Sequence, residues 1–384
     1  MIERRISDER YHMEALDGFR GFAALIVVFS HTSNSGFYFA PFLDLEGIGK
    51  SGVFLFFLLS SFLLTLPLLE TGRRVLSVPV LSLYWQRRLF RIYPLYTLYL
   101  LLGVFTTWAL SACCGKHGVG IPFDLDWPGF FKHMTLREGK GVTWSIAVEF
   151  KFYFVLPLVV FCTALVRPFG FPATTLYFLT LLVLSQVISP QSESAVNDAR
   201  LLPYMPIFIV GMYCAVIQNA LLRNQALLER WTRVIRVLGY VGVIGIVIMT
   251  PSVFSLIAGT VPRNYFHEQY ILYSCLWAFV LLSAVNGRGW IRRFFSLPQL
   301  RFLGALSFSL YLFHPIFIEA ARHARLNTYL SAWLVLMAAT VSAYVSFRLL
   351  EGPMSRFRLT RDAFAPLFAW RRRGKQAHRA EQTR

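Results

Sequence analysis

The chain has 384 residues, of which 56% are hydrophobic and only 15% charged, with 36 Phe and a formal net charge of +18. Soluble domains carry about 25% charged residues, so this composition nearly excludes a water-soluble globule. The apolar residues gather into blocks of roughly 17 to 24, close to the ~20 that cross a bilayer as a helix, and the sequence reads as an all-α integral membrane protein. Its basic excess lies between and after those blocks, where anionic lipid headgroups would meet it, so it argues for a lipid partner and a topology and not for nucleic acid.

In chain order, hydropathy predicts about ten transmembrane helices, near residues 16 to 34, 51 to 69, 92 to 111, 152 to 166, 173 to 189, 203 to 222, 237 to 257, 270 to 285, 302 to 321 and 331 to 349. Threaded this way, most of the 38 Lys and Arg fall on the side that holds both ends, which the positive-inside rule makes cytoplasmic. The domains are then a cytoplasmic segment over 1–15, a multi-helix membrane domain over 16–350 and a basic cytoplasmic tail over 351–384 that ends RRRGKQAHRAEQTR. Residues 113 to 150 form a long outer loop, a kind of segment that often carries function. The first 14 residues mix both signs and no small-residue cleavage site follows, so no signal peptide is expected. Cys162, Cys214 and Cys275 lie in apolar blocks, and the loop pair Cys113 and Cys114 has no metal-ligand spacing, so no metal is expected.

Charged or titratable residues inside a span are costly enough to mark a functional site. The first span holds Asp17, Arg20 and His31. Arg20 and His31 are 11 residues apart, about 20° past three full turns, so they share one stripe roughly 16 Å long. Such a stripe suits the wall of a polar tunnel; equally, Asp17 could pair with Arg20 at i, i+3 and His31 could cap the helix end at the interface. Arg88 and Arg91 in WQRRLFRIYP are i, i+3 neighbours before the third span, placed either to fork onto phosphate or simply to mark the inner side. In TWSIAVEFKFY, Glu149 comes one turn after Ser145 at the outer mouth of the fourth span, either as a carboxylate that orients or deprotonates a partner or as half of a capping box with Ser145 as N-cap. His314, followed by Pro315 in SFSLYLFHPIF, reads as a supporting residue. Gly47, Gly49 and Gly52 permit close helix approach, and Ser60 and Ser61 can hydrogen-bond between helices.

Six segments in fixed order, LDGFRGFAALIVVFSH (16–31), GKSGVFLFFLLSSFLL (49–64), RRLFRIYPLY (87–96), TWSIAVEFKFYFVLP (143–157), SFSLYLFHPIF (307–317) and LEGPMSRF (350–357), resemble the bacterial membrane-bound acyltransferase 3 family of integral-membrane carbohydrate O-acyltransferases. The resemblance implies that Arg20 and His31 are the family's essential pair and that its basic motif falls on Arg87, Arg88 and Arg91. It places the acid after the Trp-Ser pair at Glu149, with Asp17, Ser60, Trp144, Ser145, Tyr311 and His314 as possible supporting residues. The family usually shows Gly where Ser61 stands, which questions close backbone approach at that point. With little chain left after ten spans, the resemblance is to the stand-alone form without an extracytoplasmic hydrolase-like domain.

The implied activity moves an acyl group, most simply acetyl, from cytoplasmic acyl-coenzyme A to a hydroxyl of a surface or exported carbohydrate such as lipopolysaccharide, exopolysaccharide or a lipid-linked saccharide. This would occur in the bacterial inner membrane. His31 would be general base or covalent acyl carrier, Arg20 would line the donor path, and Glu149 would orient or polarise His31 or the acceptor. Two other readings stay open on the residues: a transporter or flippase of lipid-linked saccharides, and an acyltransferase for an amine or a non-carbohydrate hydroxyl.

Overall fold

The computed structural model describes residues 2–114, 124–190, 197–287, 289–324 and 326–356, without the side chains of 2–13, 114, 263, 355 and 356. The arginines at 4, 5 and 10 and the tail beyond 356, which bear on the expected topology, therefore lie outside the described side chains. The described elements are all helical: α1 (Ile2–Ser33), α2 (Gly49–Leu69), α3 (Val78–Cys114), α4 (Trp127–Met134), α5 (Thr143–Val166), α6 (Phe171–Ile188), α7 (Met205–Arg223), α8 (Gln225–Ile248), α9 (Pro251–Ala258), α10 (Tyr270–Asn286), α11 (Trp290–Phe295), α12 (Pro298–Ala324), α13 (Thr328–Ser346) and α14 (Gly352–Arg356).

Every expected span falls on a helix, and eight of the described helices are long and apolar enough to cross a membrane. The first and eighth expected spans fall on the charge-bearing α1 and on the 17-residue α10, which are outside that set. The expected span over 237 to 257 is two pieces. Residue 251 is proline, which disfavours the helical conformation at Thr250; that residue is extended (φ −67°, ψ 121°) and the chain turns from α8 into α9 there. The loop after the third span is shorter than expected, because Cys113 and Cys114 close α3 and α5 starts at Thr143. Between them, α4 is capped by Asp126, whose carboxylate accepts the Gly129 N–H at 2.7 Å.

Central and peripheral helices differ in how their apolar side chains are used. In α2 and α7, 72% of the apolar stretch is buried, against 17% in α6 and α8, so the first pair forms the core and the second meets the surroundings. Trp333, Met337, Val341 and Val345 of α13 and Leu176, Leu179, Val183 and Val187 of α6 are exposed at helical spacing, as lipid-facing stripes require. Phe208 of α7 stacks between Phe57 of α2 (centroids 4.8 Å) and Phe152 of α5 (4.0 Å), ring contacts worth about 0.5–1.5 kcal/mol each beyond burial.

Two close approaches set the frame of the site. α1 and α12 run side by side in the same direction, and a Cβ on Gly304 would lie 1.9 Å from the Asp17 carbonyl oxygen while one on Gly21 would lie 2.1 Å from that of Leu300. Only glycine fits at this crossing, so the backbones touch there. α2 meets α7 at Ser61, where Gly211 opposite supplies the room, since its Cβ would fall 2.0 Å from the Ser61 Oγ. Close approach at Ser61 is therefore present, with the glycine that permits it on the partner helix. The Ser61 hydroxyl donates to Leu58 O of its own helix at 3.0 Å and makes no bridge between helices among the described residues.

Candidate active site

His31 ends α1 and His314 sits mid-way along α12, and the glycine crossing brings them together: His31 Nδ1 is 2.8 Å from His314 Nε2. His314 is fully buried, and its Nδ1 lies 3.2 Å from the Leu310 carbonyl oxygen. Pro315 has no N–H for the Tyr311 carbonyl, so that carbonyl is a second backbone acceptor beside the ring. His31 lines a cavity of about 280 Å³ shared with Trp144, Lys50, Asn197, Tyr311 and Pro315. Gly49 also faces it, leaving space next to the His31 ring.

At the Arg20 end the charges gather. Arg88 and Arg91 of α3, Ser60 of α2, and Glu149 and Tyr153 of α5 line a second cavity of about 70 Å³. Arg20 is close enough to Arg88, Glu149 and Glu351 to feel their charges, and Arg91 to feel that of Arg20. Glu149 Oε1 accepts the Tyr153 hydroxyl at 2.6 Å, and Ser60 Oγ lies 3.4 Å from that hydroxyl. Among the described residues no carboxylate forms a salt bridge with Arg20, Arg88 or Arg91, and Arg88 Nε is buried without a hydrogen-bond partner. A cluster of guanidinium groups around a cavity, with donors unspent, is a site for a polyanion such as phosphate.

A third cavity, about 50 Å³, lies between the other two. It shares Glu149 and Phe308 with the arginine cavity and Val53 and Tyr311 with the histidine cavity, and Phe56 and Phe57 narrow it. Tyr311 fixes one wall: its hydroxyl donates to Val142 O at 2.9 Å and is 2.7 Å from Ser145 Oγ. Through these shared residues the three spaces form a series from the arginine cluster to the histidine pair.

Several expectations change in this arrangement. Glu149 is not at a mouth beside His31 but inside α5, six residues past its start, among the arginines; the group on His31 is His314. Ser145 is not an N-cap: α5 begins two residues earlier, and the Ser145 hydroxyl turns back to Val142 O and to Tyr311. Arg87 is exposed and does not line the arginine cavity, because adjacent helical positions differ by about 100°. Asp17 is exposed; it lies near enough to Arg20 to interact with its charge, but among the described residues the two form no salt bridge. Two participants escape the sequence reading. Tyr153 is the Glu149 partner, four residues on and thus on the same face. Glu351, which the sequence assigns to the tail, accepts a hydrogen bond from Ser309 in the interior, and the LEGPMSRF segment is its only signal. No group of three or more His, Cys, Asp or Glu able to hold a metal occurs among the described residues.

Outside the spans, α4 is pinned by His133. Its Nδ1–H donates to Gly129 O at 2.8 Å and its Nε2 accepts the Lys140 N–H at 3.2 Å, which only the neutral ring can do. Burial, first, and then nearby Lys140 and Lys132 hold its pKa below the ordinary 6.5, against the Gly129 bond and Glu138. A depressed histidine pKa adds stability that is present above the ordinary value and is lost as pH falls from there through the folded value. Amide exchange in 124–142, corrected for intrinsic rates, should accelerate between pH 7.5 and pH 5, and His133→Ala should exchange fast at both.

Residues 13–349 match the family model described as an acyltransferase domain, of the acyltransferase 3 type. The chain is 24% identical over 381 residues to O-acetyltransferase OatA of Staphylococcus aureus strain NCTC 8325 / PS 47, and equally to OatA of strains COL and MRSA252, with 92% of this chain aligned. It spans 59% of the length of those relatives. No solved structure matches the chain.

Proposed function

Because the chain belongs to the acyltransferase 3 family, we propose that it is a membrane O-acetyltransferase that passes an acetyl group from cytoplasmic acetyl-coenzyme A to a carbohydrate hydroxyl at the far side of a bacterial inner membrane, both its termini being cytoplasmic. The observation that carries this reading is the series of three cavities with guanidinium groups at one end and a histidine pair at the other. The arginine end suits the phosphates of the donor, with Arg88 and Arg91 forking onto their oxygens and Arg20 adding charge. The middle cavity suits a slim thioester arm. The larger histidine cavity has room for the acceptor.

In this mechanism His31 takes the proton of the acceptor hydroxyl as its oxygen bonds to the acyl carbon. The carbon–sulfur bond breaks, and the imidazolium returns the proton to the departing thiolate. A covalent route would place the acetyl group on the same imidazole first. Glu149, held by Tyr153 at the junction of the arginine and middle cavities, offsets the arginine charge and orients the donor where its arm leaves the phosphate site. The transporter reading fits less well, since the aromatic middle cavity of about 50 Å³ is far narrower than a saccharide.

The test is transfer of label from acetyl-coenzyme A by the purified protein in vesicles that contain envelope saccharide, scoring both free coenzyme A and labelled saccharide. The reading expects both to appear together, with donor added on the side of the termini. Saccharide crossing the bilayer without acetylation would move the transporter reading forward.

A further inference from the structure

We propose that His314 is a positioning residue that locks His31 in the tautomer protonated at Nδ1, so that His31 Nε2 is the atom that receives the acceptor proton or the acetyl group. The inference rests on the acetyltransferase reading for its consequence and on geometry alone for the tautomer.

Proton accounting along the pair carries it. The backbone carbonyls beside His314 Nδ1 can only accept, so that nitrogen bears the proton. The neutral ring then has its lone pair on Nε2, 2.8 Å from His31 Nδ1. Two lone pairs cannot face each other at that distance, so His31 Nδ1 donates. Its own lone pair is left on Nε2, which has no hydrogen-bond partner among the described residues. A free imidazole prefers the opposite tautomer only slightly, so one strong hydrogen bond decides which nitrogen reacts.

The lock is built into the fold at three points. The Gly21–Gly304 crossing sets the spacing and register of α1 and α12. Pro315 leaves a carbonyl for the His314 ring, and complete burial of His314 keeps water from competing for its nitrogens. During transfer the Nδ1–H of His31 stays bonded to His314 while Nε2 gains and then loses a proton, so charge formed on His31 is spread without a carboxylate in contact.

The test uses the full-length protein with ¹⁵N-labelled histidine in lipid nanodiscs, with His31 assigned by loss of its signals in His31→Ala. The wild type should show His31 protonated at Nδ1 and bare at Nε2 without any substrate. His314→Gln can still accept from His31 and donate to the carbonyls, and should keep that tautomer and most of kcat. His314→Phe fills the space without an acceptor; it should mix the tautomers and lower kcat by at least about tenfold, with KM for acetyl-coenzyme A unchanged because the arginine cavity is untouched. A wild-type His31 protonated at Nε2, or His314→Gln as slow as His314→Phe, would overturn the proposal. If His314→Phe fails to fold, the wild-type tautomer and the His314→Gln rate decide. A wild type that shows the expected tautomer yet transfers no acetyl group would sink the acetyltransferase reading and leave the lock standing.

Discussion

Replacing His31 with alanine is expected to lower acetyl transfer by about 10²- to 10⁴-fold, the usual contribution of a positioned general base. The loss should fall on kcat. The donor phosphates would bind at the arginine cluster near Arg20, about three turns or roughly 16 Å back along α1, and the helix crossing at Gly21 and Gly304 does not involve the imidazole, so KM for acetyl-coenzyme A and the folded fraction should stay near wild type. His31 is only half-buried and, among the described residues, its ring hydrogen-bonds only to His314, so truncation widens a cavity already about 280 Å³ and leaves one buried acceptor to be satisfied by water. Steady-state rates in vesicles, read beside a thermal unfolding curve, check both halves. Full turnover by the variant would remove His31 from the chemistry and place the polar stripe in transport.

Replacing Arg88 or Arg91 with alanine is expected to raise KM for acetyl-coenzyme A by about tenfold to a hundredfold each, since a hydrogen bond to a charged group is worth about 1.5–3 kcal/mol. Among the described residues neither arginine forms a salt bridge and Arg88 Nε has no hydrogen-bond partner, so neither substitution breaks an ion pair. Removing one guanidinium also relieves repulsion within the Arg20, Arg88 and Arg91 group. Lysine should restore little, because an ammonium lacks the planar fork that grips two phosphate oxygens. Arg87→Ala is the control: the side chain is exposed outside the cavity, and KM should move by less than about twofold. Titrating donor binding to each variant at two ionic strengths separates contact from general attraction. Equal KM values for all three variants would dismantle the phosphate site.

Much of the arrangement is legible in the amino-acid sequence. Helical periodicity puts Arg20 and His31 on one stripe because both lie on the same helix, and the rise per residue fixes their spacing. The paired arginines of α3 are legible for the same reason, as i, i+3 neighbours, and the same periodicity separates Arg87 from them. Glu149 is legible as a residue but not as a partner. Its position depends on where α5 begins, and a run such as EGKGVTWSIAVEF has no proline or side-chain N-cap to mark the start at Thr143. The break between α8 and α9 is also written in the sequence, in Thr250-Pro251, but a hydropathy window averages across a single proline.

The sequence by itself determined the class of protein, the helices and the identity of the polar residues placed at membrane depth, because the cost of burying charge and the length of a bilayer-spanning helix act locally. Only the tertiary structure decided which of those residues meet. The contact of His31 with His314 joins residues far apart in the chain, and it exists because backbone contact at Gly21 and Gly304 fixes how α1 and α12 slide and rotate against each other. The same holds for Glu351 reaching Ser309 and for Gly211 making room for Ser61. Packing between helices depends on the shapes of two surfaces at once, and no single segment carries both.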